Sequence, residues 1–125
     1  MSTTPHDAIN WFEIATLEIE RATRFYEALL SITLIPYDTA EPMRLFPSNQ
    51  KGVGGALVQR QNQPPSPTGT LVYLNVDSGL EAALTRLKAL PEGKTLIPIT
   101  PVPGGFGTYA IIQDSEGNRI GLHQH

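Results

Sequence analysis

The sequence predicts an α+β fold made of two tandem βαβββ units, and three observations carry that prediction. Strand-like and helix-like segments occur in the order strand, helix, strand, strand, strand, and then recur in the same order. The quartet Thr33-Leu34-Ile35-Pro36 returns as Thr95-Leu96-Ile97-Pro98, each time just after the helix, which reads as a repeat of about sixty residues. Between the units lies a polar, proline-rich stretch, Gln63-Pro64-Pro65-Ser66-Pro67, suited to a stiff surface connection. The units span about residues 8–59 and 70–125, joined by residues 60–69, in one domain whose sheets are expected to curl around a shared cavity.

Ile9 to Ala15 is rich in aromatic and β-branched residues and reads as a strand with Trp11, Glu13 and Ala15 on one face. In the helix that follows, Ala22, Phe25, Tyr26, Leu29 and Leu30 form one apolar stripe, and acidic residues sit early, where the helix dipole favours them. Thr33–Tyr37, Met43–Phe46 and Gly52–Val58 are short strands punctuated by Pro36, Pro42 and Pro47. The second unit opens on Thr70–Val76. Its helix carries the stripe Leu80, Ala83, Leu84, Leu87 and Leu90, with Asp77 or Ser78 as N-cap and Pro91 and Gly93 as stops. Thr95–Ile99, Tyr109–Gln113 and Arg119–His123 complete it, the last two joined by a hairpin turn over Asp114–Asn118 in which Gly117 can take positive φ.

A net charge of -3, with Lys and Arg scattered, gives no electrostatic footprint for nucleic acid or an anionic membrane. The absence of cysteine removes disulfides, thiol nucleophiles and thiolate metal sites. With no secretory signal over Met1 to Asp7 and no apolar run of membrane-spanning length, a cytoplasmic location is expected.

Taken in order, Phe12-Glu13-Ile14 with Glu20-Arg21-Ala22 and Phe25-Tyr26, then Gly52-Val53-Gly54-Gly55-Ala56-Leu57-Val58, then Gly69 to Leu74, then Asp114 to Leu122 form a set that resembles the vicinal oxygen chelate superfamily. This is the group of glyoxalases, bleomycin-resistance proteins and extradiol dioxygenases, and the resemblance covers nearly the whole chain. It implies two βαβββ modules around one cavity, often completed by a dimer, with metal ligands from the first and fourth strands of each module. Those positions fall at Trp11, Gly55, Leu71 and Gly121. Indole, leucine and glycine side chains offer no usable lone pair, so neither a metal nor another cofactor is expected there.

Residues sharing a strand face with those positions are the candidates for chemistry: Glu13 and His123 as general base and acid, and Tyr73 as hydrogen-bond donor. Trp11, Leu57, Leu71, Phe106 and Tyr109 would wall a small-molecule pocket, with space left at Gly121. The plainer alternative pairs Glu13 with an arginine such as Arg119 and leaves His123 at a solvated strand end. His123 and His125 have strand spacing for a Zn or Ni site with Glu13 as third ligand, against which stands the fraying of chain ends. Pro101 to Gly107 lacks the ending of a phosphate loop and reads as a lip over the cavity. Three readings of function follow: a metal-independent lyase or isomerase acting on a small organic molecule, a sequestration protein that holds a drug or metabolite, and a metal-dependent lactoylglutathione lyase-like enzyme using displaced ligands. A homodimer is expected in each.

Overall fold

The computed structural model describes residues 7–49 and 52–125, so the polar stretch 1–6 lies outside it. Ten elements follow the predicted order: β1 (Trp11–Ala15), α1 (Ile19–Leu30), β2 (Ile35–Pro36), β3 (Met43–Leu45), β4 (Gly54–Val58), β5 (Tyr73–Asn75), α2 (Leu80–Lys88), β6 (Lys94–Pro101), β7 (Thr108–Gln113) and β8 (Arg119–Gln124). They form two mixed four-stranded sheets of identical topology, β1-β4-β3-β2 and β5-β8-β7-β6. In each the first strand runs parallel to the fourth and the other pairings are antiparallel.

Both helices cover one face of their sheets with the expected stripes. Ala22, Phe25, Tyr26 and Leu29 are buried from α1, and Leu80, Ala83 and Leu87 from α2. Neither helix has a side-chain N-cap of its own, because Glu18 and Gly79 stand where a capping Ser, Thr or Asp would. Asp77 and Ser78, the expected caps, lie outside that position. The exposed main-chain donors are met from the end of the fourth strand: Gln59 Oε1 accepts the Ile19 N–H at 2.8 Å, and Gln124 Oε1 accepts that of Leu80 at 2.7 Å.

Strand lengths depart from expectation where proline and tertiary pairing compete. β2 shrinks to two residues at Pro36, whose nitrogen cannot donate. By contrast β6 runs eight residues through Pro98, accommodated at an edge with register shifts against β7.

The two units share one core, which includes Ile14 and Leu57 from the first and Leu74 and Leu122 from the second. They are also clasped by the Asp114–Asn118 turn. Asp114 is fully buried and accepts four hydrogen bonds, from Tyr26 Oη (2.5 Å), the Glu116 and Asn118 N–H groups and Asn118 Nδ2. Burial pushes its carboxyl up from the ordinary value, while those four donors pull against it. Burial and the adjacent carboxylate raise the Tyr26 hydroxyl well above its usual range. Asn118 reaches further, donating to Ala15 O and accepting from the Ser66 N–H. Glu116 Oε1 accepts the N–H groups of Leu17 and Glu18 at the entrance of α1, and its carboxylate pairs with Arg21 at 2.8 Å. Burial alone would raise this group, yet Arg21, the main-chain donors and Ser115 outweigh it and hold its pKa at about 2.

Candidate functional site

The helix-free faces of the two sheets carry the candidate residues, and corresponding hydrogen bonds fix which positions correspond. Thr16 N–H bonds Val58 O in the first unit, as Val76 N–H bonds His123 O in the second. Trp11 therefore corresponds to Leu71, Glu13 to Tyr73, Ala56 to Gly121 and Val58 to His123.

On the second sheet the face is aromatic and open. Tyr73 lies beside Gly121 in the ladder, and a Cβ at Gly121 would collide with the Tyr73 ring, so the missing side chain is what lets that ring lie down. Tyr109 meets Tyr73 edge to face, with centroids 6.1 Å apart, and stands opposite His123 in the β7–β8 ladder. Tyr73, Val102, Tyr109 and His123 line a depression of about 430 Å³. His123 Nε2 lies 2.6 Å from the carbonyl oxygen of Phe106; a carbonyl only accepts, so Nε2 carries the proton. That bond ties strand β8 to the 102–107 loop, whose Gly104, Gly105 and Gly107 all have positive φ. Phe106 itself is 66% exposed and Leu71 36%. The chain end is tied down as well. His125 donates its main-chain N–H to Asp77 at 2.8 Å and places Nδ1 3.1 Å from both oxygens of that carboxylate.

On the first sheet the corresponding face is occupied by the protein's own charges. Arg60, just past β4, pairs with Glu13 at 2.5 Å and with Glu41 at 2.7 Å. The Arg60 hydrogen bonds hold the Glu13 carboxyl below the usual glutamate range, helped by the Trp11 indole N–H at 3.2 Å. Glu13 is thus paired with an arginine, but the partner is Arg60 and not Arg119. Glu13 and His123 line different depressions, so one chain does not bring the expected base and acid together.

Leu57 requires a correction. It pairs with Ile14 in the ladder and is fully buried in the helix-covered core, so it does not wall a ligand pocket. Gly55 is on that same inner face, under the Phe12 ring, and the outward counterpart of Gly121 is Ala56. The consecutive glycines Gly54 and Gly55 give no side-chain alternation from which to set the face, and a slip of one residue inverts it. Arg60 was missed because it follows the strand; its spacing two residues beyond Val58 was the available signal.

The fold and both faces now stand beside the known proteins. A family model described as the glyoxalase/bleomycin resistance protein/dioxygenase superfamily matches residues 8–122. The chain belongs to this superfamily. Among solved structures, a glyoxalase/bleomycin resistance protein from Albidiferax ferrireducens is similar at TM-score 0.74 and 17% identity, over 95% of this chain and 100% of that one. A glyoxalase/bleomycin resistance protein from a Streptomyces species is similar at 0.69 and 23%, over 91% and 97%. The fosfomycin resistance protein FosX from Listeria monocytogenes is similar at 0.67 and 13%, over 96% and 91%. No curated protein matches the sequence significantly.

For a superfamily member the donor set of this chain is unusual. The outward positions on the first and fourth strands hold Trp11 and Glu13 with Gly54 and Ala56, and Tyr73 with Gly121, while Leu71 precedes β5 and Arg119 opens β8. Glu13 alone offers a carboxylate, and Arg60 holds it. Among the described residues no three His, Asp or Glu side chains come close enough to hold a metal ion. The expected trio of His123, His125 and Glu13 is therefore not assembled: His125 goes to Asp77, and Glu13 lies on the other sheet. These residues do not fit the superfamily's usual divalent metal.

Proposed function

We propose that the protein binds a small aromatic or amphiphilic organic molecule on the open face of the second sheet, and holds it without a metal. The observation that carries this reading is the depression of about 430 Å³ walled by the Tyr73–Tyr109 pair and His123, with Gly121 contributing no side chain. Its size and its mixture of aromatic walls with few polar groups suit a small molecule. His123 and the two tyrosine hydroxyls supply the orienting hydrogen bonds, and the loop at Phe106 supplies a cover. Titration with a panel of one- and two-ring aromatic amines and carbonyl compounds, read by thermal shift, tests it. Tyr73→Ala and Tyr109→Ala should each weaken the best binder about tenfold or more; unchanged affinity in both would remove the reading.

A second reading, proton-transfer chemistry as a lyase or isomerase, is favoured by one observation: Glu13 and Tyr73 hold corresponding places on the helix-free faces of the two sheets. A homodimer that set the first sheet of one chain against the second sheet of its partner would bring Glu13 toward His123. Sedimentation showing a monomer at all concentrations would sink this version. So would unchanged turnover in Glu13→Gln and His123→Asn.

A further inference from the structure

A second cavity, of about 420 Å³, runs along the seam between the two sheets, away from His123, Tyr73 and Tyr109. One wall is the outer edge of β1. Thr16 directs its main-chain N–H at β4, and by the alternation of a parallel ladder so do Ile14 and Phe12, which leaves the N–H and C=O groups of Trp11, Glu13 and Ala15 pointing outward. Ala15 O is taken by Asn118 Nδ2 at 2.8 Å, which closes one end of the cleft. The outward groups of Trp11 and Glu13 have no partner among the described residues. The connection between the units passes along the cleft without pairing to them: Pro64 has no N–H to give, and the Ser66 N–H is spent on Asn118.

The charge in the cleft is as specific as its edge. Glu13 and Arg119 are the charged residues among those that line it, and the Glu13 carboxylate is paired with Arg60, which Glu41 shares. Arg119 is exposed and has no ion pair or hydrogen bond among the described residues, so the cleft holds one uncompensated guanidinium. An unpaired strand edge demands main-chain partners, and a free guanidinium favours a carboxylate in bidentate geometry.

We propose that this seam is a docking site for a short extended peptide bearing a carboxylate, which adds as a strand to the outer edge of β1 and presents its acid to Arg119. Two outward residues on a five-residue strand offer pairing for about three peptide residues, at about 3.3 Å each. The site goes beyond the small-molecule reading and uses none of its residues.

The probe is an N-acetylated tripeptide amide of valine, threonine and aspartate, titrated into ¹⁵N-labelled full chain. The Trp11 and Glu13 amide signals should move downfield as their N–H groups enter a ladder. Arg119→Gln, or asparagine for the peptide's aspartate, should each weaken binding about tenfold, and together no more than either alone. N-methylation of the middle peptide residue should abolish binding, while His123→Asn leaves it unchanged and so separates this site from the aromatic one. Unmoved Trp11 and Glu13 amides would overturn the proposal, as would N-acetylaspartate amide binding as well as the tripeptide, or an affinity indifferent to Arg119.

Discussion

Where the first unit carries Glu13 the second carries Tyr73, and where the first has Ala56 and Val58 the second has Gly121 and His123. The scaffolds agree down to the glutamine that meets each helix, yet the faces have diverged. In the first unit Arg60 folds back from the strand end onto Glu13 and Glu41, so the face satisfies itself. In the second, an absent side chain at Gly121 lets the Tyr73 ring lie on the sheet and meet Tyr109 edge to face. One backbone device thus supports a face tied up by its own ion pairs and an aromatic one, and the difference lies in a handful of outward side chains.

The comparison is broken most severely by cutting the clasp that joins the units. Glu116→Gln removes a carboxylate that is buried and accepts from Arg21 and two main-chain donors, leaving the guanidinium without its buried partner. A loss on the order of 3 kcal/mol is expected in urea unfolding. The pH dependence has a definite sign. The folded pKa of Glu116, about 2, lies below its ordinary value of 4.5, so its contribution is complete above pH 4.5 and is lost as pH falls toward 2. Asp114, raised by burial, acts the other way: its cost is present above its folded pKa and is relieved as pH falls. Acid unfolding of the wild type between pH 4.5 and 2 should therefore be steeper than that of Glu116→Gln.

Much of this scaffold was legible in the sequence, because periodic burial is a local signal. The stripe from Ala22 to Leu29 and that from Leu80 to Leu87 went where a 3.6-residue period sends them, and the order of the strands followed from their punctuation. What resisted reading were facts set by partners distant in sequence. The Asp114–Asn118 stretch reads as a turn from its composition, but its bonds to Tyr26, Ala15 and Leu17 cross from one unit to the other. His123 looked like a free strand-end imidazole until the Phe106 carbonyl was placed against Nε2. Leu57 faces the core and not the cavity expected of it, because nothing local fixes the register beside two glycines.

The likeness of the scaffolds is sharpened by the paired helix entrances. Gln59→Ala and Gln124→Ala each strip one acceptor from the first turn of a helix that has no cap of its own. Each should cost about 1 kcal/mol, the usual effect of losing an N-terminal acceptor. Equal losses in urea unfolding are expected. A loss confined to one variant would show that the shared device carries weight in only one unit.

The smallest expected effect tests whether the first face is closed by charge alone. Arg60→Gln removes the hydrogen bonds that keep Glu13 below its ordinary pKa, so that carboxyl should titrate at higher pH, which a carbon-detected NMR titration resolves. Global stability should hardly change, because both partners are partly exposed and such pairs contribute little. The Trp11 indole N–H donates to the Glu13 carboxylate and that bond weakens when the carboxyl takes up a proton, so the indole signal should move with the same midpoint as the carboxyl. If Glu13 titrates as before, the indole and its burial set that carboxyl, and the difference between the two faces rests on packing rather than on the ion pair.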